Sequence, residues 1–171
     1  MVLVLMGVSG SGKTTVGKLL AAQLGWEYVE ADDYHPAANV EKMRAGVPLT
    51  DADRRPWLDA LRLKVDALCE GGRDAVLACS ALKHAYQDYL ERDEPGCVRY
   101  VYLHGTEEAI RDRLAARTGH FMNPSLLHSQ FEALEPPADA LRVEVTDTPE
   151  VAVAEIRRGL GLGLGRPCAK V

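Results

Sequence analysis

A three-layer α/β fold, with a five-stranded parallel sheet covered by helices, is predicted for this chain by three observations. Short apolar runs rich in β-branched residues alternate with longer stretches of helical period. Val2 to Met6 and Ala75 to Cys79 are apolar throughout rather than at every second residue, as strands of a buried parallel sheet read. The 171 residues suffice for one domain that buries about 70% of its unfolded surface.

The elements follow in order. Val2 to Met6 is the first strand, followed by a helix from Lys13 to Leu24 that Gly25 closes as its C-cap. Glu27 to Glu30 is the second strand, with helices from Ala37 to Ala45 and from Pro56 to Glu70 after it. The third strand is Ala75 to Cys79, then a helix from Lys83 to Arg92, then the fourth strand Val98 to Leu103. Thr106 caps a helix running to Arg117, with Glu107 and Glu108 in its first turn complementing the helix dipole. A helix from Ser125 to Leu134, a fifth strand from Leu141 to Val145 and a helix from Glu150 to Leu160 complete the domain, taken as residues 1–160. Residues 161–171 are glycine-rich with little to bury and are expected to form a flexible tail.

Charge narrows the function. Twenty Lys and Arg stand against 25 Asp and Glu, a net charge of −5, which argues against nucleic acid or an anionic membrane as a partner. Cys69, Cys79, Cys97 and Cys168 are widely spaced, with no C-x-x-C, so free structural thiols and a cytoplasmic location are expected. The apolar stretch Met1 to Met6 lacks a basic flank and runs into glycines, which suits a buried strand better than a signal peptide. No run reaches the roughly 18 apolar residues that a membrane span needs. Lys170 spoils the terminal four residues as a prenylation box.

Chemistry enters after the first strand. Gly7-Val8-Ser9-Gly10-Ser11-Gly12-Lys13-Thr14 matches G-x-x-x-x-G-K-[ST] between a strand and a helix, the context a phosphate-binding loop requires. Backbone N–H groups of Gly7 to Thr15 can turn toward phosphate oxygens at the positive end of the helix dipole. Lys13 would bridge the β- and γ-phosphates of ATP, and Thr14 would place its hydroxyl on Mg²⁺. No Asn-Lys-x-Asp segment is present to read guanine, and the third strand ends toward Ser80 rather than in the acid of a large remodelling ATPase. Small-molecule and nucleoside-monophosphate kinases remain.

The second strand leads into Asp32-Asp33-Tyr34-His35-Pro36 at the carboxyl edge of the sheet, where ligands of α/β proteins bind. Asp32 is the candidate base for an attacking hydroxyl, or the anchor of a metal-bound water, against the alternative of a helix cap. Arg113 and Arg117 share a helix face, and with His120 beyond a glycine hinge they form a candidate cover over the transferring phosphoryl group. Arg54, Ser80 and Lys83, with His35 and His120, are the candidates for holding an anionic acceptor.

Taken together these motifs resemble the gluconokinase family of P-loop kinases over about residues 2 to 148. The resemblance rests on the phosphate loop, Asp32 to Pro36 with Asn39 and Lys42-Met43, and Pro48 to Leu58. It continues through Ala78 to Lys83, Gly119 to Met122, Ser129-Gln130-Phe131 and Leu134 to Pro137. It implies a fold similar to nucleoside-monophosphate kinases and a homodimer. It also implies ATP- and Mg²⁺-dependent phosphorylation of D-gluconate to 6-phospho-D-gluconate, which feeds the pentose phosphate pathway. The family usually has arginine where this chain has Gln87, so any acceptor contact of that arginine is expected to be lost or moved. A kinase for shikimate or a nucleotide, and a module that binds ATP without transfer, are the alternatives.

Overall fold

The computed structural model of the chain describes residues 1–91, 96–115, 126–145 and 148–163. Strands β1 (Val2–Met6), β2 (Glu27–Glu30), β3 (Ala75–Ala78), β4 (Val98–His104) and β5 (Leu141–Glu144) form one sheet in the order β2-β3-β1-β4-β5, every pair parallel. Helices are α1 (Lys13–Leu24), α2 (Ala37–Arg44), α3 (Asp51–Glu70), α4 (His84–Glu91), α5 (Glu107–Ala115), α6 (Leu127–Glu132) and α7 (Pro149–Gly159).

Strand β1 shows why the sheet has three layers. Successive side chains point to opposite faces. Val2, Val4 and Met6 therefore join Trp57, Leu61, Val65 and Leu68 of α3, with Tyr86 and Leu90 of α4, in one core cluster. Leu3 and Leu5 join Val16 and Leu20 of α1 and Val153 and Ile156 of α7 in the other. A smaller cluster of Val8, Leu82, Ile110, Leu114 and Leu127 seats α5 and α6 beside the loop after β1.

The connection reverses direction at β1, with β3 on one side and β4 on the other. A crevice at the carboxyl ends of such strands is where α/β folds place ligands. Here it receives the loop after β1 and the loop after β3.

The structure departs from the sequence reading in three places. Helix α3 begins at Asp51 rather than Pro56. Thr50 and Asp53 form a complete capping box there, which satisfies the first N–H groups and tolerates Pro56 inside the helix. Ala31–Tyr34 forms a 3-10 turn that period alone did not predict. Cys69 and Cys97, expected to be free, are joined in a disulfide. The last turn of α3 carries Cys69 to the amino edge of the sheet, where Cys97 leads into β4 and its carbonyl accepts from Val2 N–H at 2.8 Å. Leu162 packs against the α1–α7 core and its N–H donates to the Arg157 carbonyl at 2.8 Å, while residues 164–171 of the expected tail lie outside the described residues. Cys79 is free and buried. Thr106 and Gly25 cap as predicted, Thr106 Oγ1 accepting from Ala109 N–H at 3.2 Å and Gly25 adopting φ 70°.

Candidate active site

The loop Gly7–Thr14 begins as the chain leaves β1. A Cβ on Gly7 would lie 2.8 Å from the Leu103 carbonyl oxygen, and one on Gly10 would lie 2.7 Å from Leu114 Cγ. With φ of 144° and 85°, both positions require glycine. Gly12 caps α1 without any side-chain bond, and no acid sits in the first turn, so the helix N-terminus keeps its donors and positive potential for an anion. Ser11 Oγ is buried and has no hydrogen-bond partner among the described residues. Lys13 Nζ folds back to donate to the carbonyls of Gly7 at 2.9 Å and Val8 at 3.0 Å. Thr15 is exposed in the first turn of α1. These features fit a polyphosphate.

Carboxylates gather beside the loop. Thr14 Oγ1 donates to Glu30 Oε2 at 2.9 Å, and the Tyr28 hydroxyl donates to the same oxygen at 2.6 Å. Burial, reinforced by Glu30, raises the Tyr28 hydroxyl pKa, so it stays a donor. Asp32 lies in the 3-10 turn just after β2. Buried Cys79, at the end of β3, is pushed up to about 12, chiefly by desolvation, and it also senses the charges of Asp32, Lys13 and Glu30. Glu30 and Asp32 at the end of β2, and Lys13 after the β1 loop, all lie at the carboxyl edge of the sheet. Among the described residues, Thr14 and Glu30 offer the oxygen donors that a Mg²⁺ beside bound phosphates would use.

A pocket adjoins this edge, lined among others by Arg54, Trp57, Ser80, Lys83, Tyr86 and Gln130. Trp57 Nε1 donates to the Ala31 carbonyl at 2.8 Å, which ties α3 to the turn bearing Asp32. Its ring stacks on His35 with centroids 4.6 Å apart. Burial and the nearby Arg54 charge push His35 down to about 4, so this imidazole is neutral at pH 7. It can exchange hydrogen bonds with a hydroxyl, but it is not the cation the sequence reading considered. Arg54 donates to the Leu49 carbonyl, and Lys83 Nζ donates to both oxygens of Asp51 at 2.8 and 3.0 Å.

The phosphate loop and this pocket are linked directly. Ser9 N–H donates to Gln130 Oε1 at 2.7 Å, and Gln130 also lines the pocket. A group bound in the pocket thus sits beside the loop, the geometry that direct transfer between two bound substrates demands.

A family model described as an AAA domain matches residues 2–137. The gluconokinase of Gluconobacter oxydans (strain 621H) is 48% identical over 163 residues, covering 91% of this chain and 89% of that one. The thermosensitive gluconokinase of Escherichia coli (strain K12) is 41% identical over 172 residues, covering 98% and 91%. The crystal structure of a gluconokinase from Sinorhizobium meliloti 1021 superposes with a TM-score of 0.83 at 42% identity, covering 93% of this chain and 90% of that one. The chain belongs to the gluconokinase family.

Within the gluconokinase framework, the position of Gln87 is the clearest finding. Gln87 is buried, and its Nε2 donates to the carbonyls of Ala81 and Glu135, both at 2.9 Å. The Ala81 carbonyl it holds belongs to a residue with φ 36°, in the left-handed region that non-glycine residues seldom enter. The side chain therefore braces the loop that presents Ser80 and Lys83, rather than facing the acceptor. Glu135 completes the brace, its N–H donating to Leu82 O at 2.7 Å and its carboxylate accepting from His84 N–H at 2.6 Å. Arg113 lies half-buried beside Leu114, which packs against Gly10. Arg117 and His120 lie outside the described residues. Glu30, Asp51 and Gln130 were missed as site residues. Glu30 had a signal in its place at the end of a strand opposite the phosphate loop.

Proposed function

We propose that this chain is an ATP-dependent gluconokinase that phosphorylates the primary 6-hydroxyl of D-gluconate. The observation that carries the reading is the Ser9–Gln130 contact, which sets an acceptor pocket lined by cations against a phosphate loop of complete motif. The 41% and 48% identities to gluconokinases supply the acceptor's identity.

The chain's residues divide the reaction among them. The P-loop amides and Lys13 hold the phosphates, and Arg113 adds positive charge from α5. Arg54, Ser80 and Lys83 take the acceptor's carboxylate and hydroxyls, while neutral His35 takes a further hydroxyl. As O6 bonds to the γ-phosphorus, the bond from that phosphorus to the bridging oxygen breaks and ADP leaves. Asp32 receives the hydroxyl proton. Mg²⁺, held by Thr14 and Glu30 together with the phosphates, would neutralise charge on the phosphate oxygens. No helix among the described residues is long and apolar enough to cross a membrane. A homodimer in the cytoplasm accords with the family and with a phosphorylated sugar acid as product.

The test is ADP release by purified protein with MgATP against gluconate, shikimate, glycerate and nucleoside monophosphates. Gluconate alone should stimulate turnover, and Asp32→Asn should lower kcat by about a hundredfold or more. Stimulation by a different acceptor would overturn the substrate, and ATP binding without any turnover would favour a non-catalytic module.

A further inference from the structure

The acceptor pocket's donors already hold a carboxylate, and it belongs to the chain itself. Lys83 Nζ donates to Asp51 Oδ1 at 2.8 Å and Oδ2 at 3.0 Å, the Tyr86 hydroxyl donates to Oδ1, and Arg54 Nη1 lies 3.9 Å from Oδ1. Lys83, Tyr86 and Arg54 all line the pocket. Both cations also flank the Tyr86 ring, at 5.6 Å for Lys83 and 5.8 Å for Arg54. Asp51 itself is 66% exposed, so it meets these groups from the solvent side.

The cap of α3 is complete without this carboxylate, which adds only its charge to the first turn. Thr50 and Asp53 complete the capping box by themselves, and Asp53 also takes Lys42 at 2.7 Å. The Asp51 carboxylate is committed instead to the three groups best suited to an anionic acceptor. The hydrogen bonds from Lys83 and Tyr86 hold its pKa below the ordinary carboxylate value, so it is ionised wherever the enzyme works.

We propose that Asp51 determines acceptor specificity: its carboxylate competes for Lys83, Tyr86 and Arg54, and only an acceptor that brings its own carboxylate can take them over. This inference rests on the gluconate reading above. Exchanging one carboxylate for another preserves both the charge balance and the hydrogen bonds of the donors. A neutral polyol or aldose has no anion to offer, so it must break an ion pair without replacing it. Asp51 thereby weakens binding of every acceptor, and of neutral ones most. No covalent bond changes in this exchange.

The experiment compares wild type with Asp51→Asn, which keeps the side chain's shape and removes its charge, and with Asp51→Ser as a second variant. KM for gluconate and the inhibition constant for glucitol, which has the primary hydroxyl but no carboxylate, are measured on the same preparations. Both variants should lower the glucitol constant by about three- to fivefold, the scale of one partly exposed ion pair, while KM for gluconate falls by less than about twofold. Added salt should shrink the difference between variants and wild type. A higher or unmoved glucitol constant, or gluconate and glucitol constants shifting together, overturns the role of Asp51. Wild-type protein that turns over no gluconate overturns the functional reading, and the competition with it.

Discussion

Replacing Trp57 by Phe tests whether the body of α3 positions the reacting carboxylate. The indole N–H donates to the Ala31 carbonyl at 2.8 Å, where Trp57 is 2% and Ala31 0% exposed, so no water can replace the lost donor. An orphaned buried carbonyl costs about 1–3 kcal/mol, and the smaller ring forfeits about 1 kcal/mol more of packing. A total near 3 kcal/mol, with a urea m-value of about 2 kcal/mol/M, lowers the unfolding midpoint by about 1.5 M. Ala31 directly precedes Asp32, and the indole supports His35, so kcat for gluconate should fall about ten- to a hundredfold. The control is Leu68→Ala, at the opposite end of α3, 1% exposed and remote from the crevice. It should cost about 2–5 kcal/mol in stability with kcat retained. The reasoning is refuted if Trp57→Phe unfolds within about 0.3 M of wild type, or if its folded fraction keeps the wild-type kcat.

Two further outcomes follow from the structure. His35 titrates near 4 in the folded chain against 6.5 ordinarily, so the unfolded chain binds the extra proton first as pH falls. Folding stability is lost as pH drops from about 6.5 to 4, and His35→Gln should flatten that part of a urea-midpoint profile, whereas an unchanged slope would contradict a half-buried neutral imidazole. The Cys69–Cys97 disulfide closes a loop of sequence separation 28, worth about 3–4 kcal/mol by loop entropy. A reducing agent should lower the unfolding midpoint of wild type and leave that of Cys69→Ser alone, and equal responses would refute the bond.

The centre of the sheet was legible in the sequence because β1 and β3 are buried at every position, and an apolar run of four or five residues signals this locally. The phosphate loop was legible for the same reason: every residue of the motif is contiguous. Contacts between distant segments left no such trace. Lys83 meets Asp51 across 32 residues, Thr14 meets Glu30 across 16, and Ser9 meets Gln130 across 121. The cysteine pair is likewise joined only by the path of α3. The start of α3 was misread for a local reason, since Pro56 resembles a first-turn residue while the Thr50–Asp53 box had already opened the helix. At position 87 the family resemblance suggested a missing acceptor contact, and only the fold shows a side chain turned inward to two carbonyls.

Strand β1 is apolar at every position, so hydrophobicity cannot tell one pairing register from the next. A slip of one residue would exchange Val2, Val4 and Met6 with Leu3 and Leu5 and leave both cores greasy. What discriminates is the point where the strand ends. Only glycine fits 2.8 Å from the Leu103 carbonyl, and sliding β1 either way would push Met6 or Val8 into that space. The residue that opens the phosphate loop is thus also a steric index mark for the central strand, so a mutation there would scramble the fold's alignment as well as remove a ligand contact.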